Sequence, residues 1–260
     1  MNIGRRSSSA LLERFTEPHT YAAIARMPRV YEHPWGVLWR ELFSREGYPT
    51  TLDIRTPIGP RTVHLFNPAD LSTLNSVFCR LDYGTPRPLR TVVDFGSNIG
   101  LSGLYWLTLD PHSRVYLYEP VPTNFERLKL NLKGLEDRFT AEQVAISNVN
   151  GTVEFGVEST GRMGGIGTEW TEQIKVRSVD VKEVLRNVLE KHGTIDCLKV
   201  DIEGHEDVVF QSIEPDVWKR LRYVTVEDHP EVTRKYVPDY FTVSRQVVVL
   251  HYTNTRMRDA

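Results

Sequence analysis

Hydrophobic and polar positions along this chain change period repeatedly, and the changes delimit its elements. Thr91–Val93 is an apolar run too short for a helix; it ends at Asp94, meets small residues, and continues into Leu101–Leu109. This pattern predicts a buried strand, a tight turn and a helix. A second strand, Val115–Tyr118, ends in Glu119-Pro120, and the stripe Phe125, Leu128, Leu132 predicts a helix. Thr123 and Glu126 have capping-box spacing at its start, and Gly134 stops it. A third strand is expected near Thr140–Ile146. Thr152–Val157 and Gln173–Val179 follow as strands on either side of the glycine-rich Gly161–Gly167. Asp180 and Glu183 open a helix with Val181, Val184, Leu185, Val188 and Leu189 on one face, closed by Gly193. Then come the strand Ile195–Asp201, a turn at Gly204, a helix over His205–Ser212 and the strand Arg222–Glu227. A short helix and a strand near Gln246–Tyr252 complete the chain. The β-α-β-α-β order implies an α/β fold with a mostly parallel sheet and helices on both faces.

The first third reads differently. Met1–Ala10 has the composition of a frayed end. Leu11–Tyr48 carries Phe15, Tyr21, Tyr31, Trp35, Trp39 and Phe43, with short helices expected to break near Pro18, Pro28 and Pro34. The segment reads as a cap or lid over a site, with His19 and His33 as polar contacts, or equally as a packing arm or homo-oligomer contact. Leu52–Phe66 alternates as two strands around Ile58-Gly-Pro60. Asn67 is the expected N-cap of a helix with Pro68 at its first position and Leu71, Leu74, Val77 and Phe78 on its apolar face. The resulting division is 1–48 as a helical extension or lid and 49–260 as the main domain.

The turn Gly96-Ser-Asn-Ile-Gly100 carries the first chemical signal. Glycines allow close approach to backbone, and Asn98 tolerates the left-handed conformation. A helix start attracts a carboxylate or phosphate, whereas Asp94 could hold an amine. The methionine part of S-adenosylmethionine has both groups. A dinucleotide fingerprint needs glycine where Asn98 stands, which opposes a nicotinamide-dependent oxidoreductase. Glu119, 25 positions after Asp94, falls at the neighbouring strand tip, where it can accept ribose hydroxyls. Ala145-Ile-Ser147 would line an adenine ring, and Tyr83 could touch the cofactor from outside the sheet.

The second signal is Ile195-Asp-Cys-Leu-Lys-Val-Asp-Ile-Glu-Gly-His205. Strand alternation points Asp201 and Glu203 to one side. His205, in a helix's first turn, is expected neutral and able to act as a base. Glu203 either takes part in catalysis or caps the helix. Asp201 with Asp228 and His229 could alternatively hold Mg²⁺.

Composition narrows the class. A 260-residue chain that is 40% hydrophobic suits one domain with an extension. A formal charge of -2 gives no drive toward nucleic acid or anionic membrane. Twelve arginines and no lysine stand against eight acidic residues through Arg90, a mild basic excess. Two cysteines far apart in sequence, the lack of an apolar leader and the lack of a membrane-length run fit a reduced, cytoplasmic protein.

Val93-Asp-Phe-Gly-Ser-Asn-Ile-Gly100, Tyr118-Glu-Pro-Val-Pro122 with Asn124-Phe125, Val144-Ala-Ile-Ser147 and Leu198-Lys-Val-Asp-Ile-Glu-Gly204 together resemble the FkbM family of S-adenosylmethionine-dependent methyltransferases. The resemblance spans roughly Leu81 to Ser212. It implies a class I, Rossmann-like methyltransferase fold with a seven-stranded sheet, and methylation of a hydroxyl on a small natural product or sugar. Asp94, Gly96, Asn98 and Gly100 are then expected around the methionine part and Glu119 on the ribose. The full expected cofactor set adds Tyr83, Ser97, Pro120, Ala145, Ser147 and Asp201; the catalytic set is His205, Asp201 and Glu203, with no resident metal. His205 stands where the family usually has a small residue, and the chain after the fifth strand is short for the usual closing hairpin. An N-methyltransferase, a metal-assisted enzyme and a non-catalytic S-adenosylmethionine-binding protein are the further alternatives.

Overall fold

A computed structural model of the chain describes residues 2–3, 6–7, 18–43, 46–85, 89–158, 164–166, 172–227 and 234–257. The chain forms two compact units, Met1–Gly84 and Thr85–Ala260.

Within the first unit, Asn2–Ile3 pairs with Arg6–Ser7 in a two-residue bridge. Helices α1 (Pro18–Val30) and α2 (Pro34–Phe43) follow. Pro28 does not break α1: it lies inside the last turn. One lost hydrogen bond is tolerated there because Met27, Val30 and Tyr31 are buried, and Tyr31 N still donates to Met27 O at 2.8 Å. On α2, Trp35, Trp39 and Phe43 are exposed one turn apart. The charged residues of α2 are engaged elsewhere, Arg40 with Gly47 O and Glu41 with Asn75. Strands β1 (Thr50–Thr56) and β2 (Gly59–Leu65) form the expected hairpin. Helix α3 (Pro68–Asn75) starts as the sequence predicts, with Asn67 Oδ1 accepting from Ala69 N and Asp70 N. Asp70 completes a reciprocal cap by accepting from Asn67 N. A π-helical turn, Ser76–Arg80, extends it.

The second unit is built on β3 (Thr91–Phe95), buried along its whole length. Helix α4 (Leu101–Leu109) is enclosed on all sides. It lies so close to β4 (Arg114–Tyr118) that a Cβ on Gly103 would come within 2.8 Å of Leu117. Helix α5 (Pro122–Asn131) begins one residue before Thr123, so the expected Thr123–Glu126 capping box does not form; Glu126 pairs with Lys129 instead. The expected third strand is two strands. β5 (Phe139–Glu142) joins the main sheet, and β6 (Ala145–Ser147) crosses to a second one. There it pairs with β9 (Glu172–Asp180), which also pairs with β7 (Gly151–Val157); β8 (Gly164–Ile166) lies on the far side of β7. Gly161–Met163 and Gly167 lie outside the described residues.

Asp180 caps α6 (Val181–His192), as its position implies. Strand β10 (Ile195–Val200) is buried throughout and leads through a turn to α7 (Glu206–Ser212) and α8 (Pro215–Trp218). β11 (Leu221–Glu227) is the last parallel strand. The closing hairpin is present after all: β12 (Phe241–Gln246) and β13 (Val249–Asn254) pair antiparallel, and β13 pairs with β11. The main sheet has the order β12-β13-β11-β10-β3-β4-β5. Five parallel strands (β11, β10, β3, β4 and β5), antiparallel β13 and the outer strand β12 make up its seven strands. The order reverses between β3 and β10, where a parallel sheet leaves a crevice at its carboxyl edge. Cys79 and Cys197 are free and buried, and burial pushes both thiols up to about 12, so neither is a ready nucleophile.

Candidate functional site

Asp94 reaches the crevice on β3 but is fully buried. Its Oδ2 accepts from Ser102 Oγ at 2.5 Å, and its Oδ1 receives Lys199 Nζ at 3.0 Å. The lysine comes from β10, directly beside Asp94 in the parallel ladder. The expectation that Asp94 directly holds a ligand amine is therefore revised: a buried lysine already neutralises it. Lys199 Nζ also donates to Gly96 O at 2.9 Å and Phe95 O at 3.4 Å, and lies 3.4 Å from Asp201 Oδ2. Burial alone would lower the pKa of this lysine, but Asp94 and Asp201 raise it, so the side chain is a cation.

The glycine turn has the predicted shape for a different reason. Gly96, Asn98 and Gly100 all have positive φ. A Cβ on Gly96 would lie 1.8 Å from Asp201 O, and one on Gly100 3.0 Å from Leu128 Cγ. Both glycines admit neighbouring protein. The turn's amides are likewise engaged inside the protein. Gly96 N and Ser97 N donate to Tyr118 O, Asn98 N to Glu119, Ile99 N to Asn98 Oδ1 and Gly100 N to Ser97 O. Ser97 Oγ bridges Asp94 O and Tyr118 N. An anion is left to the N–H groups of the first turn of α4, which by helix geometry have no intrahelical partner.

Glu119 is buried at the tip of β4, followed by buried Pro120. Its Oε2 accepts from Asn98 N at 2.8 Å and its Oε1 from Val121 N at 3.0 Å. Burial pushes its pKa up to about 7; the hydrogen bonds from Val121, Asn98 and Asn124, with Lys199, work in the opposite direction.

The second motif is rearranged relative to strict alternation. β10 ends at Val200, so Asp201 and Glu203 belong to the turn, and Glu203 takes a left-handed φ of 55°. Their carboxylates nevertheless converge with Glu227 from the end of β11, all within 4.8 Å of one another. Three acids this close favour a cation among them. Asp228 and His229 lie outside the described residues. The amides of the strand-to-helix turn are held by Glu206, which accepts from Ile202 N and Gly204 N. His205 occupies the N-cap position, one residue before α7. Burial lowers its pKa, against Asp207 and Glu206, which raise it. Its Nε2 lies 3.3 Å from Ser147 Oγ on β6, bringing the expected base to the expected adenine wall. Ala145 and Ser147 are both buried.

Lys199, Ser102 and Glu206 were not singled out from sequence. Tyr83 lies in the first unit.

The FkbM methyltransferase domain model matches residues 94–244, from Asp94 into the closing hairpin. Methyltransferase sdnD of Sordaria araneosa is 27% identical over 169 residues, which cover 52% of this chain and 65% of that protein, just under two thirds of its length. The 31-O-demethyl-FK506 methyltransferase FkbM of Streptomyces tacrolimicus is 26% identical over 211 residues, covering 68% of this chain and 81% of that one. The hexuronic acid methyltransferase AglP of Haloferax volcanii is 26% identical over 148 residues, covering 55% and 58%. With the glycine turn, Glu119 and the Lys199–Glu206 segment all inside a match that runs over more than half of its length, the chain belongs to the FkbM methyltransferase domain family.

Proposed function

We propose that this chain is an S-adenosylmethionine-dependent methyltransferase acting on a hydroxyl of a small natural product or sugar. The observation that carries the reading is the family match over residues 94–244. The names of two relatives, one acting on a demethylated FK506 oxygen and one on a hexuronic acid, favour this acceptor class. The donor set suits such a cofactor. Carboxylate oxygens have two acceptor sites each, so Glu119 can take ribose hydroxyls beside its two backbone donors. Asp201 offers a carboxylate to an ammonium, the first turn of α4 offers N–H groups to a carboxylate, and Ala145 and Ser147 offer a wall for the base. Ser97 and Pro120 shape the turn around them. When bound, the cofactor supplies an electrophilic methyl group on a sulfonium.

The chain's own part in the reaction is alignment and proton removal. Neutral His205 accepts the proton of the acceptor hydroxyl, with Ser147 fixing the ring. His205→Ala should lower kcat about 100-fold or more. It should also remove an acid limb of the kcat–pH profile that lies below the ordinary histidine range. Turnover equal to wild type at every pH would exclude His205 as the base.

Glu119 gives a separate pH signature. Its folded pKa of about 7 is raised above the ordinary 4.5 of a glutamate. This group therefore stabilises the ligand-free fold below about pH 4.5, and that contribution is lost as pH rises through 7. Hydroxyls bind the ionised form, so affinity for S-adenosylhomocysteine should be about tenfold weaker at pH 6 than at pH 8. Binding should also release a proton near pH 7, and Glu119→Gln should flatten the dependence. Calorimetry in buffers of differing ionisation heat measures both effects. The reading as a whole is tested by titrating the protein with S-adenosylmethionine and its demethylated product, then following labelled methyl onto hydroxyl-bearing acceptors. Absence of any heat or thermal shift with either compound would overturn it.

A further inference from the structure

A lysine with almost no exposure, placed at the tip of the central strand beside two aspartates, is a costly arrangement that ordinary packing does not require. Lys199 stands at the point where the sheet order reverses, and it touches both sides of that reversal. From β10 it reaches across to Asp94 on β3 and to the carbonyls of Phe95 and Gly96 at the start of the glycine turn. On its own strand it reaches forward to Asp201. Of the two aspartates, Asp94 is sealed, with one oxygen on Ser102 and the other on the lysine. Asp201 differs: its side chain is 28% exposed and it faces Glu203 and Glu227.

We propose that Lys199 is a positioning residue for cofactor binding: it cancels the charge of Asp94 and holds Asp201, so that Asp201 receives the ligand ammonium. The inference rests on the S-adenosylmethionine reading above. Without the lysine, Asp94 and Asp201 would repel each other across the crevice, and Asp201 would lose the cation that holds it 3.4 Å away. With it, the sealed aspartate serves the lysine and the exposed one serves the ligand. The lysine itself meets no ligand atom; its effect passes through Asp201.

The test uses two ligands that share a nucleoside and differ in the amino-acid part. S-adenosylhomocysteine carries the ammonium; 5′-methylthioadenosine does not. Wild-type protein is titrated first, and no binding of S-adenosylhomocysteine would refute the cofactor reading itself, independently of Lys199. Given that binding, Asp94→Asn/Lys199→Met removes both charges of the sealed pair together. It should weaken S-adenosylhomocysteine at least tenfold while leaving 5′-methylthioadenosine within about twofold of wild type. Asp201→Asn leaves the sealed pair intact and should give the same selective loss, so the inference is testable even if the double variant does not fold. Equal losses for both ligands in a folded variant would show that Lys199 merely supports the site's structure and would overturn the proposal. Retained S-adenosylhomocysteine affinity in Asp201→Asn would do the same.

Discussion

Gly96→Ala should destabilise the protein by about 4 kcal/mol or more, the sum of a left-handed backbone penalty and severe overlap in a packed region. The added carbon would fall 1.8 Å from the backbone oxygen of Asp201, and the residue has a φ of 79°. Neither partner is a flexible side chain that could step aside. Asp201 N is bonded to Phe95 O at 3.1 Å, so the two backbones approach here as part of the sheet. Relief would require parting the tips of β3 and β10, which also displaces the Gly96 carbonyl from Lys199. Gly193→Ala is the control. It has nearly the same φ, 76°, but nothing within 4 Å of the new carbon. With a ψ of −38° it should cost only the backbone penalty, about 1–3 kcal/mol. Denaturant unfolding of both variants measures the difference, and equal losses would show that crowding at Gly96 is not the cause.

Replacing Lys199 alone by Met should cost about 3–5 kcal/mol, because it strands the Asp94 carboxylate in the interior with Ser102 as its remaining named side-chain donor. Adding Asp94→Asn to that variant should recover most of the loss, since an amide still accepts from Ser102 and no charge is left unpaired. The lesson of such pairs is that breaking one is costly even when replacing both members is mild. Denaturation at neutral pH for the two single variants and the double one gives the coupling directly. A Lys199→Met protein as stable as wild type would mean that Asp94 finds another partner.

The fold was legible wherever burial wrote a period into the sequence. Thr91–Phe95, Leu101–Leu109 and Ile195–Val200 stand almost where the apolar runs place them, because each is enclosed on all sides. The closing hairpin was not legible for the opposite reason. Only Phe241 of β12 is buried, and Val243 and Val248 are exposed, so no inward-facing alternation is left to read. The switch of β6 to a second sheet was hidden because three residues that leave one ladder for another look like a continued strand. At the site, several residues stand where they do for reasons the sequence did not show. A glycine demanded by a neighbouring carbonyl carries the same letter as one demanded by a ligand. A lysine in an apolar strand reads as a solvent-facing break, although here it is buried beside Asp94. Strand alternation does not reach Glu203, because the left-handed residue there has already turned the chain, and the turn's amides go to Glu206, which the sequence reading passed over.

The five consecutive amides from Gly96 to Gly100 all find acceptors within the fold. Such a segment has little left to freeze when a guest arrives, so its entropy has largely been surrendered during folding. Recognition at this corner then selects by rigid fit, and a guest of the wrong outline meets a wall that does not adapt.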